Sequence, residues 1–439
     1  MPDPFLKRIF TKGTFASKVA TLSSGTALGQ LSVILAAPLL SRLYTPADFG
    51  NLQFIVSSAL ILATFSTLRY EMSIPLPKGD ADAYRLVKLS ITLASIFALI
   101  VLSFLIWASL SNYSGGWWQK YSTLSFFIPV LLLVEAINST LGYWFMRNSD
   151  YKTPSVGKGA TGIGVVSSQL ALHALKVIGG MGLVFGQALG QLLGGAILVK
   201  RFSRPKISFK FGEDIHQMVA LAKKYKDFPL FASWSAGLNT LGRHLPPIML
   251  TWYYQPEMVG YYALGMRLLN IPLNLMSLSV GQVFFQQISK YVKNGIPVFP
   301  FLRSTAFKLT ALGFPGLLLI YFFGANIFQL IFGSNWASAG EIASILSPYF
   351  LVRFVASPLS PIFSLIGKQY VSLIWQFIYT SMTFAIIFFG NIYFDFYGVI
   401  WIYSIFSAVM FSVFLYLEMI FAKMFDKGMQ AGGKTERFN

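Results

Sequence analysis

The sequence predicts an all-α polytopic membrane protein, with about twelve transmembrane helices in two six-helix lobes. Composition is the first reason. Apolar residues make up 55% of the 439 positions and charged residues only 11%, where a soluble chain carries about 25% charged residues. The second is length: the apolar residues collect in stretches of roughly 17–25 residues, enough to cross a bilayer as helix. The third is charge placement. Lysines and arginines fall almost wholly in alternate gaps between those stretches, the asymmetry that sets membrane orientation.

Taken in chain order, residues 1–18 place Phe5, Leu6, Ile9 and Phe10 among Lys7, Arg8 and Lys12. That mixture reads as a short interfacial helix leading into the first span, and it lacks the form of a cleavable signal peptide. Spans are expected near 18–43, 50–68, 88–110, 121–145, 158–175 and 178–199, then 229–250, 260–285, 305–324, 341–366, 370–390 and 396–420. The second gap holds Arg69, Lys78, Arg85 and Lys88, and the fourth Arg147, Lys152 and Lys158. The sixth is the richest, running from Lys200 to Lys226. The eighth holds Lys290, Lys293, Arg303 and Lys308, while the odd gaps hold only Arg42, Lys120 and Lys176. Both termini are therefore expected in the cytoplasm. The net charge of +18 does not point to nucleic acid, because it is spread over the loops of one membrane face, where it meets anionic headgroups. Absence of cysteine excludes disulfides and thiolate chemistry, and His173, His216 and His244 are too scattered for a metal site. Trp117 and Trp118, in the outer loop before the fourth span, fit an interfacial aromatic belt.

The chain reads as two related halves. Tyr44-x-Pro46-x-x-x-Gly50 recurs 210 residues on as Tyr254-x-Pro256-x-x-x-Gly260, each copy between two spans and each with an acidic residue, Asp48 or Glu257. Proline ending one helix and glycine starting the next turn would explain either copy alone. It does not explain the shared spacing and placement. Six spans separate the copies, so the halves share orientation, as parallel repeats do. The expected organisation is a lobe over 1–199 with the interfacial helix, a basic cytoplasmic linker over 200–228, and a second lobe with a short cytoplasmic tail over 229–439. In the sixth span Gly182, Gly186, Gly190 and Gly194 repeat every four residues, which lets helix backbones approach closely in lipid. Gly157-Lys-Gly159-Ala-Thr-Gly162 matches a dinucleotide fingerprint formally. No strand precedes it and no Gly-Lys-Ser/Thr follows, so helix packing is the better account.

Ionisable groups within spans are costly and mark pathways or pairs. Arg353 falls near the middle of the expected tenth span, Glu135 near the middle of the fourth with Asn138 one turn on, and Arg243 in the seventh beside Asn239 and His244. Arg267 lies about two turns into the eighth. Three cations against one deep carboxylate describe an anion-accepting interior, and snorkelling or interhelical ion pairing is the structural alternative. Arg69 and Glu71, at the mouth of the second span, form either a gate pair or an anchor. Glu418 lies near the inner end of the twelfth span and reads as interfacial.

Arg42-Leu-Tyr-Thr-Pro-Ala-Asp-Phe-Gly50, after the first span, and Thr67-Leu-Arg-Tyr-Glu-Met-Ser-Ile-Pro-Leu-Pro-Lys78, after the second, resemble the signatures of polysaccharide flippases. With the span count and short loops, the resemblance extends over most of the chain. It implies a fold like the multidrug and toxin extruders, two six-helix lobes in a V around a central cavity. It also implies transport of undecaprenyl-diphosphate-linked oligosaccharides for O-antigen, capsule or exopolysaccharide assembly across the bacterial inner membrane. A polymerase and a chain-length regulator are the implied partners. Arg243, Arg267 and Arg353 are the positions that fit the cations of such a cavity, with Asn239 beside them. Glu135 is the deep acidic candidate for coupling, and proton, sodium and membrane potential remain open as energy sources; no cofactor is expected. Two rivals keep the same architecture in play. A multidrug exporter of this fold would carry cations and offer deep carboxylates. An integral-membrane polymerase or ligase would need a sizeable outer loop with catalytic groups, and the outer gaps here are short.

Overall fold

The computed structural model describes residues 15–111, 116–176, 181–202 and 211–431. The interfacial helix expected over the first residues and the basic tail beyond 431 lie outside these. The described residues contain helices and turns and no strand. In order the helices are α1 (Phe15–Leu43), α2 (Pro46–Ser66), α3 (Asp80–Leu110), α4 (Gly116–Ser125), α5 (Phe127–Arg147), α6 (Lys152–Ala174), α7 (Gly182–Arg201) and α8 (Phe211–Lys224). They continue as α9 (Ser233–Tyr253), α10 (Pro256–Lys293), α11 (Phe299–Phe332), α12 (Ala337–Ala356), α13 (Ile362–Leu365), α14 (Gln369–Tyr393) and α15 (Phe396–Ala431).

Among the described residues, nine helical stretches are long and apolar enough to cross a membrane. Each of the twelve expected spans is occupied by helix, and α6 and α9 fall short on hydropathy. Their composition explains this. Glycine and serine dilute α6, and Asn239, Arg243 and His244 lie on α9. The tenth span is shorter than expected. Pro358 and Pro361 lack the N–H that a continuing helix needs, so α12 stops at Ala356 and a single turn, α13, follows. Arg353 therefore lies in the last turn of α12 instead of mid-helix. Conversely α10 begins at Pro256, which sets Arg267 about three turns in.

The two motif copies begin helices in the same way. Thr45 and Gln255 both adopt extended backbone ahead of a proline at the first helical position, where the missing N–H costs nothing. Thr45 and Asp48 close a capping box on α2, satisfying two orphan groups at the helix start. Tyr44 is buried and its hydroxyl donates to the Gln169 carbonyl at 2.7 Å. Tyr254 packs edge-on to Phe396 with ring centroids 5.1 Å apart.

Packing divides the chain into compact units Met1–Trp252 and Tyr253–Asn439. By packing, α9 goes with the first unit, because it is fastened to first-half helices. A Cβ at Gly237 would collide with the Phe65 ring, Trp234 meets the same ring at 6.1 Å, and Ile248 packs on the cluster around Phe54, Ile55 and Tyr121. In the first unit, α7 lies on α6 through the glycine row: Gly186, Gly190 and Gly194 meet Gln169, Val165 and Thr161 with no room for a Cβ. Gly162 meets the backbone of Gly29 on α1 in the same way. Both glycine motifs are thus packing surfaces. The basic gaps are tied down as well. Arg147 donates to the carbonyls of Pro77 and Lys78 and to Asp80, while Arg85 joins α3 to α8 by an ion pair with Asp214 at 2.9 Å.

Candidate functional site

The first unit holds a partly open polar cavity of about 190 Å³. Four segments line it. The end of α2 gives Leu60, Ala63 and Thr64, with Thr67 just beyond. The short 3-10 turn over Tyr70–Ser73 and the residue before it give Glu71 and Arg69. Helix α5 gives Glu135, Ala136 and Ser139, and α9 gives Asn239, Thr240, Arg243 and His244. The spacings on each helix are one and three or four residues, so each presents a single stripe to the cavity. A stripe of threonine, serine and asparagine is hidden inside otherwise apolar helices.

The mouth of α2 is built against ordinary backbone preference. Leu68 and Arg69 both take left-handed conformations, φ 50° and 60°, uncommon for non-glycine residues. This pair of turns brings the Arg69 guanidinium to 3.2 Å from the Glu71 carboxylate, which also accepts from the Thr67 hydroxyl at 2.5 Å. Glu71 is 1% exposed, so its charge is compensated where it is buried, as such a site requires. On the α9 side, His244 Nδ1 lies 3.3 Å from the buried Ser57 hydroxyl, and the hydroxyls of Thr64 and Thr240 approach to 3.1 Å.

Five of the site residues expected from sequence thus share one cavity: Arg69, Glu71, Glu135, Asn239 and Arg243. Its lining is not purely cationic, since two glutamates stand with two arginines. Thr64, Thr67, Ser139 and Thr240 were missed; the signal was polar residues recurring at helical spacing within apolar spans. Asn138 lies outside the cavity, with its side chain against Gly195.

Arg267 and Arg353 belong to the second unit. Arg267 is half-buried on α10. Arg353 donates to the Tyr349 hydroxyl at 2.8 Å, and its guanidinium carbon lies 5.7, 5.6 and 5.9 Å from the rings of Tyr349, Phe350 and Phe411. Beside it Tyr379 reaches Tyr403 and Ser407 through hydroxyl contacts of 3.3 and 3.2 Å. This is an aromatic cage in which cation–π attraction replaces a counter-ion. Arg42, Tyr44, Pro46, Asp48 and Gly50 sit at the α1–α2 connection, and Tyr254, Pro256, Glu257 and Gly260 at the start of α10. Of the first group, the Asp48 carboxylate is occupied in the capping box. No group of metal-ligating side chains occurs among the described residues.

Comparison with known proteins gives three findings. The model of a polysaccharide biosynthesis protein family matches residues 39–341. A teichuronic acid biosynthesis protein, TuaB of Bacillus subtilis (strain 168), is 23% identical over 295 residues, 65% of this chain and 58% of that protein. The matched part thus spans less than two thirds of that relative's length. Among solved structures, the lipid II flippase MurJ superposes with a TM-score of 0.68 at 14% identity, covering 96% of this chain and 93% of that one. An inward-facing multidrug resistance MATE transporter of the MOP superfamily superposes at 0.61 with 11% identity, covering 98% and 99%. At these identities the superpositions establish the fold: this is a multi-pass helical chain with MOP-transporter architecture.

Proposed function

Since the chain belongs to this polysaccharide biosynthesis protein family, we propose that it is a flippase for undecaprenyl-diphosphate-linked oligosaccharide units, moving them from the cytoplasmic to the periplasmic leaflet of a bacterial inner membrane. The observation that carries this reading is the first-unit cavity, where Arg243 stands among Asn239, Thr240, Thr64 and Ser139. Guanidinium pairs bidentately with phosphate oxygens, and neutral hydroxyl and amide groups take up the remaining lone pairs. A lipid-linked sugar diphosphate cannot cross hydrocarbon unaided. A polar cavity replaces its water while the polyprenyl tail stays in lipid. Arg267 and Arg353 are assigned to the same diphosphate-holding role at other stages of an alternating-access cycle. The Arg69–Glu71 pair is assigned as a gate, as are the motif residues Arg42 to Gly50 and Tyr254 to Gly260. Glu135, in the same cavity as Arg243, is the candidate ion partner or coupling group. Both termini are placed in the cytoplasm, so reporter fusions after residues 210 and 430 should behave as cytoplasmic and fusions near 115 and 335 as periplasmic. A polymerase and a chain-length regulator are the expected partners in assembly.

The direct test is reconstitution of the purified chain in vesicles carrying an undecaprenyl-diphosphate-linked oligosaccharide on the inner leaflet. Its appearance outside is followed with an impermeant sugar-oxidising reagent. Protein-dependent exposure that Arg243→Ala slows roughly tenfold or more supports the reading. A rate equal to that of protein-free vesicles refutes it. The same fold also occurs in a multidrug transporter, so a cationic dye serves as the competing cargo. Transport of the dye without the glycolipid would replace the proposal with export of cations.

A further inference from the structure

Glu418 on α15 is 0% exposed, and neither of its carboxyl oxygens has a hydrogen-bond partner. Its place near the inner end of a span pointed to an interfacial side chain, and the structure corrects this. The end of α12, the turn that follows and α13 close over that face of α15. Ala356, Leu359, Ile362 and Phe363 are all 0–1% exposed. The Phe363 ring meets Phe414 at 5.4 Å and Phe421 at 5.9 Å, residues one turn before and one turn after Glu418. The carboxyl is therefore enclosed by rings and aliphatic groups.

The described charged groups on the elements packed against it are engaged or exposed. On α12, Glu341 is exposed and Arg353 donates to Tyr349, and Lys427 on α15 is exposed. Arg303 and Lys308 on α11 are exposed, as is Lys368 at the start of α14, which lies 5.8 Å over the Tyr370 ring. Helix α13 carries no charge. On α15 itself Lys423 is exposed, and Asp426 accepts from the backbone N–H groups of Val298 and Phe299. A carboxylate without counter-ion or donor in such surroundings is far costlier than the neutral acid. A metal ion is a poor occupant, because it requires several further oxygen ligands and the neighbours identified here are aromatic and aliphatic. The one ligand that such a group can hold is a proton.

We propose that Glu418 is a proton-binding site, neutral in this conformation, which exchanges its proton with water when the α12–α13 cover lifts from α15 and so ties transport to proton movement. Binding is simple: carboxylate plus proton gives the acid, and opening reverses it. The site differs from Glu135, which faces a polar cavity and an arginine. The coupling clause rests on the flippase reading, and the proton site does not.

The test uses the full chain in lipid vesicles. Infrared spectra in light and heavy water should show a protonated-carboxyl band at neutral pH that Glu418→Gln loses and Glu135→Gln retains. The isosteric Glu418→Gln should have a thermal transition no lower than the wild type's; if it does not accumulate, Glu418→Leu gives the same spectral comparison. A band that persists in both variants, or no such band in the wild type, overturns the proposal. For coupling, an imposed pH difference should change the wild-type rate of glycolipid exposure and leave the Glu418→Gln rate flat. An equal response in the variant overturns the coupling. A chain that loses the band on substitution yet moves no glycolipid in the wild type refutes the flippase reading and leaves the proton site standing.

Discussion

Arg243 and Arg353 lie in different units and are held by opposite means. Arg243 lines a cavity with hydroxyls, an amide and two glutamates. Arg353 is wrapped by three aromatic rings and one tyrosine hydroxyl. An arginine facing a polar cavity is placed to bind something that arrives. An arginine in an aromatic cage already has much of its stabilisation from the protein, since cation–π attraction contributes about 0.5–2 kcal/mol. The lesson is that an intramembrane cation is not one kind of feature. What surrounds it decides whether its removal changes transport or stability.

The largest effect should come at Arg243. Replacing it with alanine removes charge-assisted hydrogen bonds to phosphate of about 1.5–3 kcal/mol, roughly ten- to hundredfold in flipping rate. The amount of protein in the membrane should stay normal. Arg243→Lys should recover part of the rate, because charge is kept and the planar fork is lost. If abundance falls instead, and adding Glu135→Gln restores it, Arg243 is a structural partner of that glutamate. The contrast with Arg353 would then collapse.

Arg353→Ala should lower thermal stability as well as flipping. The variant strips three ring contacts and leaves the Tyr349 hydroxyl without its donor, a loss of about 1–3 kcal/mol. Lysine should rescue less here than at residue 243, since a compact ammonium fits an aromatic cage differently from a flat guanidinium. Thermal melts of the two alanine variants in one detergent make the comparison direct. Equal midpoints would break it.

Much of this architecture was legible in the sequence. Helices occupy all twelve expected spans, and the glycines at 186, 190 and 194 form the α6–α7 contact while Gly182 meets Tyr44, because four-residue periodicity maps onto one helix face. The cavity was half legible. Charges such as Arg69, Glu71, Glu135 and Arg243 stand out in apolar spans. Thr64, Ser139 and Thr240 do not, because small hydroxyl residues often satisfy themselves on their own helix, as Thr64 and Thr240 also do here. Depth was misjudged wherever helix ends were misjudged. Apolar residues run on past Ala356, and only Pro358 and Pro361 mark the stop. Glu418 was misread because burial under α13 is a tertiary fact, one that hydropathy along a single helix does not encode.

A smaller effect should separate structural tyrosines from functional ones. The Tyr44 hydroxyl donates to a buried carbonyl at 2.7 Å, so Tyr44→Phe should cost about 0.5–1.5 kcal/mol, the net worth of one hydrogen bond, since that carbonyl keeps its partner within α6. Thermal denaturation would register the loss, while the flipping rate at low temperature should be unchanged. A rate defect without a stability defect would assign Tyr44 to the gate, like Arg69 and Glu71.

The smallest effect should come from a carboxylate outside the spans, where charge is well partnered. Asp150 precedes α6, and it accepts from the backbone of Lys152 at 3.1 Å and from the backbone and hydroxyl of Thr153 at 3.0 and 2.6 Å. Partial burial pushes its proton affinity up, but these hydrogen bonds and nearby Arg201 outweigh that and hold it below the ordinary value of 3.8. A depressed carboxylate stabilises the fold above its unfolded titration range, and the contribution disappears as pH falls through the folded one. The thermal midpoint should therefore be insensitive to Asp150 titration near neutrality and lose its contribution only in acid. Asp150→Asn should flatten that acid limb, and Asp150→Ala should lower stability at neutral pH by about 1 kcal/mol, the size of a helix-cap loss. Glu418→Gln should differ from Asp150→Asn: a side chain neutral in the fold adds nothing to the acid limb, so that limb should keep its wild-type shape. If both variants instead changed the acid limb alike, Glu418 would be an ordinary ionised carboxylate, and burial beneath α13 would not distinguish the two.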